Sequence, residues 1–526
     1  MREEELLINR LKTYKASNVY PFHMPGHKRM AAGESPLGGF VNPFLIDITE
    51  IDGFDNLHHP EGILKESMEW AAREYGAGQT YYLVNGSTSG ILAAVCGCVR
   101  KSGKILVSRN CHKAAYHAIY LSQLQVSYLY PQKVDGFGIQ GGILAEDVKA
   151  ALEEDPDIQA VLIVSPTYDG VVSDVEAIAG IVHGKGLPLI VDEAHGAHFR
   201  YSSLFPQSAL ELGADVVIQS VHKTLPSLTQ TALLHIKCNG PNGSCLADRE
   251  RIDRYLHMVQ SSSPSYVLMA SIENSIFQMG RRKFDTYGEN LLYIRKNLEN
   301  MRFLQLAGEK LIGKYGIFDL DPSKIVISTR PALEGGKWEI TGAWLMDLLR
   351  EEHQLEMEMC GADYVTAITT VMDSREGLLR LEQACLETDE RIGRMMIGSS
   401  GEESGKSLGK EPEELPERMS GSIRSGSTAR SEKGLKESVY SMRCETVLPL
   451  AEAMDSEMES RRLSDSAGCV SGEFVYLYPP GIPLAAPGER ITERILNIIL
   501  EYKQKGLPVQ GLFDDSLEWI RVVKGE

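Results

Sequence analysis

Cysteine, basic charge and long apolar runs are all scarce in this 526-residue chain. Its nine cysteines contain no CxxC pair, which argues against a zinc knuckle or a disulfide framework, so we expect reduced thiols. Lysine and arginine number 54 against 72 aspartate and glutamate residues, and the formal net charge is −18. Such an acidic balance, with no basic domain in view, argues against a nucleic-acid-binding protein.

No apolar run approaches the roughly 18 residues that a membrane-spanning helix needs. The N-terminus carries Glu3, Glu4 and Glu5 where a signal peptide needs a basic start and an apolar core. Hydrophobic residues make up 43% of the chain and charged residues 24%, as in ordinary globular proteins. We therefore expect a cytoplasmic protein that has no contact with membranes.

The chain is too long for one ordinary core, so several domains are predicted. Shifts in composition and periodicity suggest a mouth-forming N-terminal linker (1–60), a large domain (61–278), a small α+β domain (279–396), a flexible linker (397–441) and a C-terminal α+β domain (442–526). The linker consists mainly of Ser, Gly, Glu and Lys, and its apolar residues follow no regular spacing. It therefore has too few large apolar residues to form a packed core.

Short apolar strands alternate with helical segments between residues 80 and 236. The predicted strands cover 105–107, 126–130, 160–164, 189–191, 216–218 and 231–235, with helices such as 145–152 and 175–183 between them. This alternation predicts an α/β fold in which helices cover both faces of a mainly parallel sheet. Ligands of such sheets bind beyond the carboxyl ends of the strands.

Reactive and polar side chains follow several of these strands. They lie in segments 85–90 (Asn-Gly-Ser-Thr-Ser-Gly), 110–113, 165–169, 192–198 and 220–223. A lysine such as Lys223, placed just after a buried strand, has its pKa lowered by desolvation and becomes a nucleophile for an aldehyde. Taken alone, its segment is explained equally well by a surface lysine at a strand end.

Together, the strand-end residues match the parts of a pyridoxal-phosphate site. A lysine bonds to the cofactor aldehyde, and an aspartate keeps the pyridine nitrogen protonated so that the ring accepts electrons. A histidine ring can stack on the cofactor, and small residues that open a helix offer free N–H groups to its phosphate. The strand order brings Lys223, Asp192, His112 and the 85–90 segment to one edge, which predicts this cofactor.

At these motifs the chain resembles the Orn/Lys/Arg decarboxylases, the group III pyridoxal-phosphate-dependent decarboxylases. The matching segments are 21–28, 57–62, 85–90, 110–113, 165–168, 192–198, 220–223 and 474–483. The resemblance implies the aspartate-aminotransferase-like fold (PLP fold type I), in the short form without the wing domain of larger relatives. It also implies decarboxylation of a basic amino acid in polyamine metabolism, with arginine to agmatine favoured and lysine to cadaverine or ornithine to putrescine open.

The resemblance also assigns roles to individual residues. Lys223 matches the lysine that carries the cofactor, Asp192 the partner of the pyridinium nitrogen, and His112 the ring that stacks on it. His222 matches a residue that helps to protonate the substrate carbon after carbon dioxide leaves. The predicted phosphate ligands are Thr88, Ser89 and Ser220, with Ser87 as an outer possibility. Thr167 and His195 are the remaining predicted cofactor contacts.

Two further predictions concern contacts outside this group. Segment 260–264 (Gln-Ser-Ser-Ser-Pro) resembles one that reaches the phosphate of a neighbouring subunit, which implies at least a homodimer, with Ser262 as the contacting hydroxyl. Glu473 could receive the cationic end of a substrate, since a carboxylate near a cleft attracts an ammonium or guanidinium group. A glutamate that stabilises a turn is the equal alternative.

Three other functions remain open at this stage. An aminotransferase with the same cofactor needs an arginine for the substrate carboxylate, and Arg375 and Arg380 are available. A metal-dependent hydrolase could use Asp192, His195 and His198, although it leaves Lys223 unexplained and we predict no metal. A non-enzymatic scaffold acting through residues 397–441 is the last alternative.

Overall fold

A computed structural model describes residues 14, 16–28, 43–238, 245–279, 284–335, 340–398, 443–477, 482–504 and 507–526. Nearly all of the predicted linker 397–441 and residues 478–481 of the Pro-rich motif lie outside this part of the chain. Within it, no helix is long and apolar enough to cross a bilayer.

The strands of the first half are β1 (Tyr20–Phe22), β2 (Gln79–Leu83), β3 (Lys104–Ser108), β4 (Gln125–Leu129), β5 (Ile158–Val164), β6 (Val171–Val172), β7 (Leu189–Asp192), β8 (Val216–Gln219) and β9 (Ala232–Ile236). Those of the second half are β10 (Gln305–Leu306), β11 (Asp319–Leu320), β12 (Lys324–Ser328), β13 (Leu355–Met357), β14 (Met359–Cys360), β15 (Tyr364–Ile368), β16 (Met458–Arg462), β17 (Val475–Leu477), β18 (Ile482–Ala485), β19 (Val509–Gln510) and β20 (Trp519–Val523).

The helices of the first half are α1 (Ile63–Tyr75), α2 (Gly86–Cys98), α3 (Lys113–Leu121), α4 (Ala145–Glu154), α5 (Val175–His183), α6 (Val221–Thr224), α7 (Arg249–Val259) and α8 (Tyr266–Met279). Those of the second half are α9 (Asp285–Leu298), α10 (Arg330–Gly335), α11 (Gly342–Glu351), α12 (Arg375–Gly398), α13 (Leu450–Asp455) and α14 (Glu493–Gln504).

The largest sheet has seven strands in the order β2-β9-β8-β7-β5-β3-β4. The pairs from β8 to β4 are parallel, as predicted. β9, which contains most of the predicted 231–235 strand, runs antiparallel to both β2 and β8, so the sheet is mainly rather than wholly parallel, as predicted. β2, which fills the edge beyond β9, was not predicted.

Alternate residues of the central strands enter different cores. In β5, Val161 and Ile163 join one hydrophobic cluster, whereas Ala160 and Leu162 join the other. Because side chains alternate between the faces of a strand, both faces of the sheet must be covered. Helices α4 and α5 contribute to the first cluster and α2, α3 and α7 to the second, which confirms the predicted fold class.

Smaller sheets follow the large one. Strands β10-β12-β15-β14 form an antiparallel sheet whose helices α11 and α12 share the first cluster with the large sheet. The C-terminal segment contains β16-β20 and β18-β17-β19, with a separate cluster that includes Leu484 and Ile495. This arrangement is consistent with α+β units after the large domain, while the boundaries at 60, 278, 396 and 441 stay predictions.

One disulfide joins Cys238 to Cys245, seven residues apart in the sequence. The expectation that every thiol is reduced was therefore wrong at this pair. The other cysteines are free, and Cys96, Cys111 and Cys385 among them are buried.

A buried ion pair ties the C-terminal segment to the large sheet. Arg109 Nη2 donates to Glu489 Oε2 over 2.9 Å, and the two side chains are only 3% and 2% exposed. Arg109 Nη1 also donates to the Tyr116 hydroxyl over 2.6 Å. Arg109 directly follows β3, so this pair holds the segment that leads to His112.

Replacing Glu489 with Gln is expected to lower the free energy of unfolding by about 3–5 kcal/mol, because it leaves the Arg109 guanidinium buried without a counter-charge. Denaturant unfolding of the variant measures this. The exposed pair Arg394–Glu390 on α12 gives the control, since Glu390→Gln should cost less than about 0.5 kcal/mol. Equal losses for the two variants would contradict this account of the buried pair.

Candidate functional site

A cavity of about 410 Å³ opens at the carboxyl edge of the large sheet. Its walls come from the segments after β3, β5, β7 and β8, from the start of α2, and from the small sheet. The predicted site residues that line it are Ser87, Thr88, His112, Thr167, Asp192, His195, His222 and Lys223. Eight of the predicted residues therefore meet in one cavity, as the rule for parallel sheets requires.

Lys223 lies in the single turn of α6, directly after β8. Its Nζ atom is 3.1 Å from His195 Nε2 and 6.0 Å from the centroid of the Tyr168 ring. Burial lowers the pKa of Lys223, while the carboxylates of Asp192 and Glu358 act in the opposite direction. The surroundings thus favour the neutral, nucleophilic form of this amine more than water does.

Asp192 and His195 face this lysine from the end of β7. Asp192 Oδ1 accepts a hydrogen bond from the Ala194 amide at 3.1 Å. Burial raises the pKa of Asp192, and the Lys223 charge opposes that rise. The His195 ring packs against Tyr168 with 4.5 Å between centroids, and burial lowers the pKa of His195 well below its usual value. A carboxylate and a neutral imidazole therefore flank the amine.

His112 is held by its own helix. It is the N-cap of α3, and its Nδ1 accepts a hydrogen bond from the Ala114 amide at 3.2 Å. Burial, together with the smaller effects of the Lys223 and Lys113 charges, lowers the pKa of His112 to about 3. The ring is consequently neutral at physiological pH and fixed at the cavity wall.

The start of α2 forms the predicted phosphate cradle. Gly86 has φ +73°, a left-handed conformation that favours glycine, and it turns the chain from β2 into the helix. Ser87 and Thr88 line the cavity, where the unpaired N–H groups and dipole of a helix N-terminus attract anions. Ser89 does not line the cavity; its hydroxyl donates to the Gly86 carbonyl at 2.8 Å.

Ser220 is the N-cap of α6, and His222 lies within that turn. Ser220 is fully buried, is not among the residues that line the cavity, and its Oγ has no hydrogen-bond partner among the residues that the structure describes. His222 Nδ1 lies 2.9 Å from the Thr231 carbonyl. Because a carbonyl only accepts, Nδ1 carries the proton of the ring. Burial lowers the pKa of His222 to about 4, so the ring is neutral and its Nε2 carries no proton at pH 7.

Ser262 and Glu473 lie away from the cavity. Ser262 is exposed, in a segment held to the start of α2 by the bond from the Ser261 amide to Asn85 Oδ1, 3.1 Å long. Glu473 accepts hydrogen bonds from the amides of Phe513 and Arg521, both at 2.9 Å. These contacts favour the turn-stabilising alternative for Glu473 over a substrate contact within the same chain.

The cavity also contains polar residues that we did not predict as site residues. Asn110 and Asp169 belong to strand-end segments that were already singled out. Gln140 and Glu358 come from a hairpin and from between β13 and β14, where strand order gives no signal. Glu358 accepts from the Met24 amide at 2.8 Å and from the Tyr168 hydroxyl, so it links the N-terminal segment to the cavity wall.

Each of the two enzymatic alternatives has a residue that is engaged outside the cavity, His198 for the hydrolase and Arg380 for the aminotransferase. His198 Nε2 pairs with Asp321 at 3.3 Å, and no group of three metal-ligating side chains converges within the described ranges. Arg380 donates to the His353 carbonyl at 3.3 Å and packs over the Tyr20 ring. Neither Arg375 nor Arg380 is among the described residues that line the cavity.

The residues present fit pyridoxal phosphate. Asn110 Oδ1 and His195 Nδ1 belong to residues that line the cavity and are buried without a hydrogen-bond partner in the described part of the chain. Buried polar atoms in native proteins are almost always satisfied, so a polar ligand is expected to complete this site. The cavity adds an amine for the aldehyde, a carboxylate for the ring nitrogen, and a helix N-terminus with two hydroxyls for the phosphate.

Comparison with known proteins agrees with this chemistry. The Orn/Lys/Arg decarboxylase major-domain family matches residues 6–374, and the C-terminal-domain family of the same name matches residues 433–506. Arginine decarboxylase of Bacillus subtilis (strain 168) is 31% identical, over 99% of this chain and 98% of that relative. Lysine decarboxylase LdcA of Pseudomonas aeruginosa is 25% identical, over 93% of this chain and 74% of that relative.

The fold has a solved counterpart. The crystal structure of the Francisella novicida lysine decarboxylase LdcF superimposes with a TM-score of 0.71, at 20% identity, over 98% of this chain and 80% of that chain. This similarity confirms the fold. Together with the family match over most of the sequence, it shows that the chain belongs to the Orn/Lys/Arg decarboxylase family, whose members use pyridoxal phosphate to decarboxylate basic amino acids.

Proposed function

We propose that the protein converts L-arginine to agmatine, as a cytoplasmic enzyme of polyamine biosynthesis that works as a homodimer at least. The observation that carries the choice of substrate is the 31% identity, over nearly the whole chain, to a relative named arginine decarboxylase. The relatives named lysine decarboxylase are less similar, at 25% identity for the Pseudomonas enzyme. Segment 260–264, with exposed Ser262, is the proposed contact with a neighbouring subunit.

Each cavity residue has a role in holding the cofactor. Lys223 would supply the amine for the aldehyde, Asp192 would pair with the ring nitrogen, and the His112 ring would stack on the cofactor. When bound, the cofactor supplies an electron-accepting ring that makes loss of carbon dioxide feasible. The proposed phosphate contacts are Ser87, Thr88 and Ser220, and Thr167 and His195 line the remaining wall.

We assign delivery of the proton to Lys223 rather than to His222. After carbon dioxide leaves, the substrate α-carbon must gain one proton. His222 is neutral and its one N–H points to the Thr231 carbonyl, so it has no proton to give at pH 7. The Lys223 amine would be able to hold a proton near the α-carbon, because the Asp192 and Glu358 carboxylates favour its charged form. His222 then acts as a positioning residue for the turn of α6.

Incubation of the holoenzyme with L-arginine should release carbon dioxide and agmatine in equal amounts. L-lysine and L-ornithine serve as competing substrates, and we expect the highest kcat/KM for arginine. Chromatography of the amine products separates agmatine, cadaverine and putrescine. Turnover of lysine or ornithine with no agmatine would contradict the proposed substrate but not the family.

Borohydride reduction of the holoenzyme followed by peptide mapping should place the pyridoxyl group on Lys223. The Lys223→Ala variant should lose essentially all turnover and keep its fold, because the side chain serves chemistry rather than packing. Lys149 is 63% exposed on α4, and Lys149→Ala is the control expected to keep full activity. A pyridoxyl group on another lysine would overturn the assignment.

Ser220→Ala should weaken cofactor binding about 10- to 100-fold, the loss expected for one hydrogen bond to a charged group. Its hydroxyl has no partner within the described residues, so the variant apoprotein should be no less stable than wild type. Ser227→Ala is the converse control. Its buried hydroxyl bonds to Ser271 and Thr231, so stability should fall while cofactor affinity stays the same. Spectroscopic titration with pyridoxal phosphate measures the affinities.

A further inference from the structure

One wall of the cavity contains hydrogen-bond acceptors that have no proposed role in holding the cofactor. Gln140, Asp169 and Glu358 form it, and we call these three residues the distal wall. They come from a hairpin after β4, from the segment after β5, and from the link between β13 and β14. Thr366 connects two of them, because its hydroxyl donates to Asp169 Oδ1 at 3.2 Å and its carbonyl accepts from the Glu358 amide at 3.0 Å.

The two carboxylates of the distal wall lack cationic partners. No lysine, arginine or histidine nitrogen of the described chain lies within 4.0 Å of Asp169 or Glu358. Two fully buried carboxylates do have such partners: Asp321 pairs with Lys324 at 3.0 Å, and Glu489 with Arg109 at 2.9 Å. Asp169 and Glu358 are half-buried and accept only from neutral donors, the Thr366 hydroxyl for Asp169 and the Tyr168 hydroxyl and Met24 amide for Glu358. These bonds leave the two negative charges uncompensated, and two such carboxylates at one cavity indicate a cationic ligand.

Gln140 is an independent observation at the same wall. Its side chain is buried, with 6% exposure, and its Oε1 has no hydrogen-bond partner among the described residues. A buried amide that lines a cavity without a partner is expected to be satisfied by what the cavity binds. It adds a neutral acceptor to the two carboxylates.

We propose that the distal wall binds the charged end of the substrate side chain and that Gln140 favours a guanidinium over an ammonium. A guanidinium presents five N–H donors in a planar fork, enough to reach both carboxylates and the Gln140 amide together. An ammonium has three donors on one atom and leaves acceptors unsatisfied. This inference rests on the proposed function, which it extends by naming the residues that select the substrate.

The test compares kcat/KM for arginine and for lysine in the holoenzyme of two variants. Gln140→Leu should lower the arginine value at least tenfold, mainly through KM, with a smaller effect on lysine, because a site built for hydrogen bonds rejects what it no longer matches. Asp169→Asn should weaken both substrates. Asp135→Asn is the matched control, since this carboxylate is 71% exposed on the same hairpin as Gln140.

A binding measurement accompanies the kinetics. Calorimetric titration of each holoenzyme with agmatine should show affinity lost in Gln140→Leu and Asp169→Asn and kept in Asp135→Asn. Cadaverine should lose affinity in Asp169→Asn only. If Asp169→Asn fails to bind the cofactor, Glu358→Gln provides the same charge test from the other segment. If Gln140→Leu fails to bind it, Gln140→Ala provides the same hydrogen-bond test.

Two outcomes would overturn the proposal: an unchanged arginine-to-lysine ratio in Gln140→Leu, or agmatine affinity that Asp169→Asn leaves intact. A wrong assignment of the substrate would give a different result from either of these outcomes. If the wild-type enzyme decarboxylates lysine and not arginine, the assignment to arginine falls. The distal wall is then supported if Asp169→Asn loses affinity for cadaverine, and refuted if it does not.

Discussion

The amine of Lys223 is held away from water next to His195, and the rest of the site is arranged around that burial. Desolvation pushes the amine toward its neutral form, while Asp192 and Glu358 keep a protonated form accessible. One group therefore has the electrostatic setting for two tasks, nucleophile and proton donor. Neither a fully exposed lysine nor a tightly paired one meets both requirements.

The environment of Lys223 requires that several strands of the large sheet end at the same edge. The parallel pairing of β3, β5, β7 and β8 brings Asn110, Thr167, Asp192 and Lys223 to one edge. Two hydrophobic clusters clamp the sheet from both faces, and the buried Arg109–Glu489 pair holds the segment next to His112. Much of the molecule's packing thus fixes the positions of a few side chains near one amine.

Reasoning from strand ends predicted the cavity residues that follow strands of the large sheet, but it missed those that come from other segments. Lys223, Asp192 and His112 follow apolar strands, so their shared edge was visible from the sequence. Glu358 and Gln140 reach the same cavity from a small-sheet strand and a hairpin, and no local periodicity indicates how such segments fold back. Glu473, the carboxylate chosen from its motif, instead caps two backbone amides in the C-terminal segment.

The direction of β9 could not be predicted from the sequence for a related reason. β9 is as apolar as the strands of the parallel part of the sheet, because a strand buried on both faces needs apolar residues in either orientation. Its antiparallel direction follows from the short connection after α6, which leaves no room for a crossover helix. The unpredicted strand β2 contains Gln79, Thr80 and two tyrosines, and this polar content hid it from a search for apolar runs.

The carboxylates near the site divide by the kind of partner that neutralises them. Glu193 is buried behind the sheet and accepts from Ser208, the Ala209 amide and Gln219, so neutral donors satisfy it. Asp321 is satisfied by Lys324 and His198. Asp192 faces Lys223. Asp169 and Glu358 accept from neutral donors as Glu193 does, but they also line the cavity. Burial raises the pKa of Asp169 to about 6. Position at the cavity without an adjacent cation, rather than the number of acidic groups, separates the carboxylates that would meet a ligand from those that stabilise the fold.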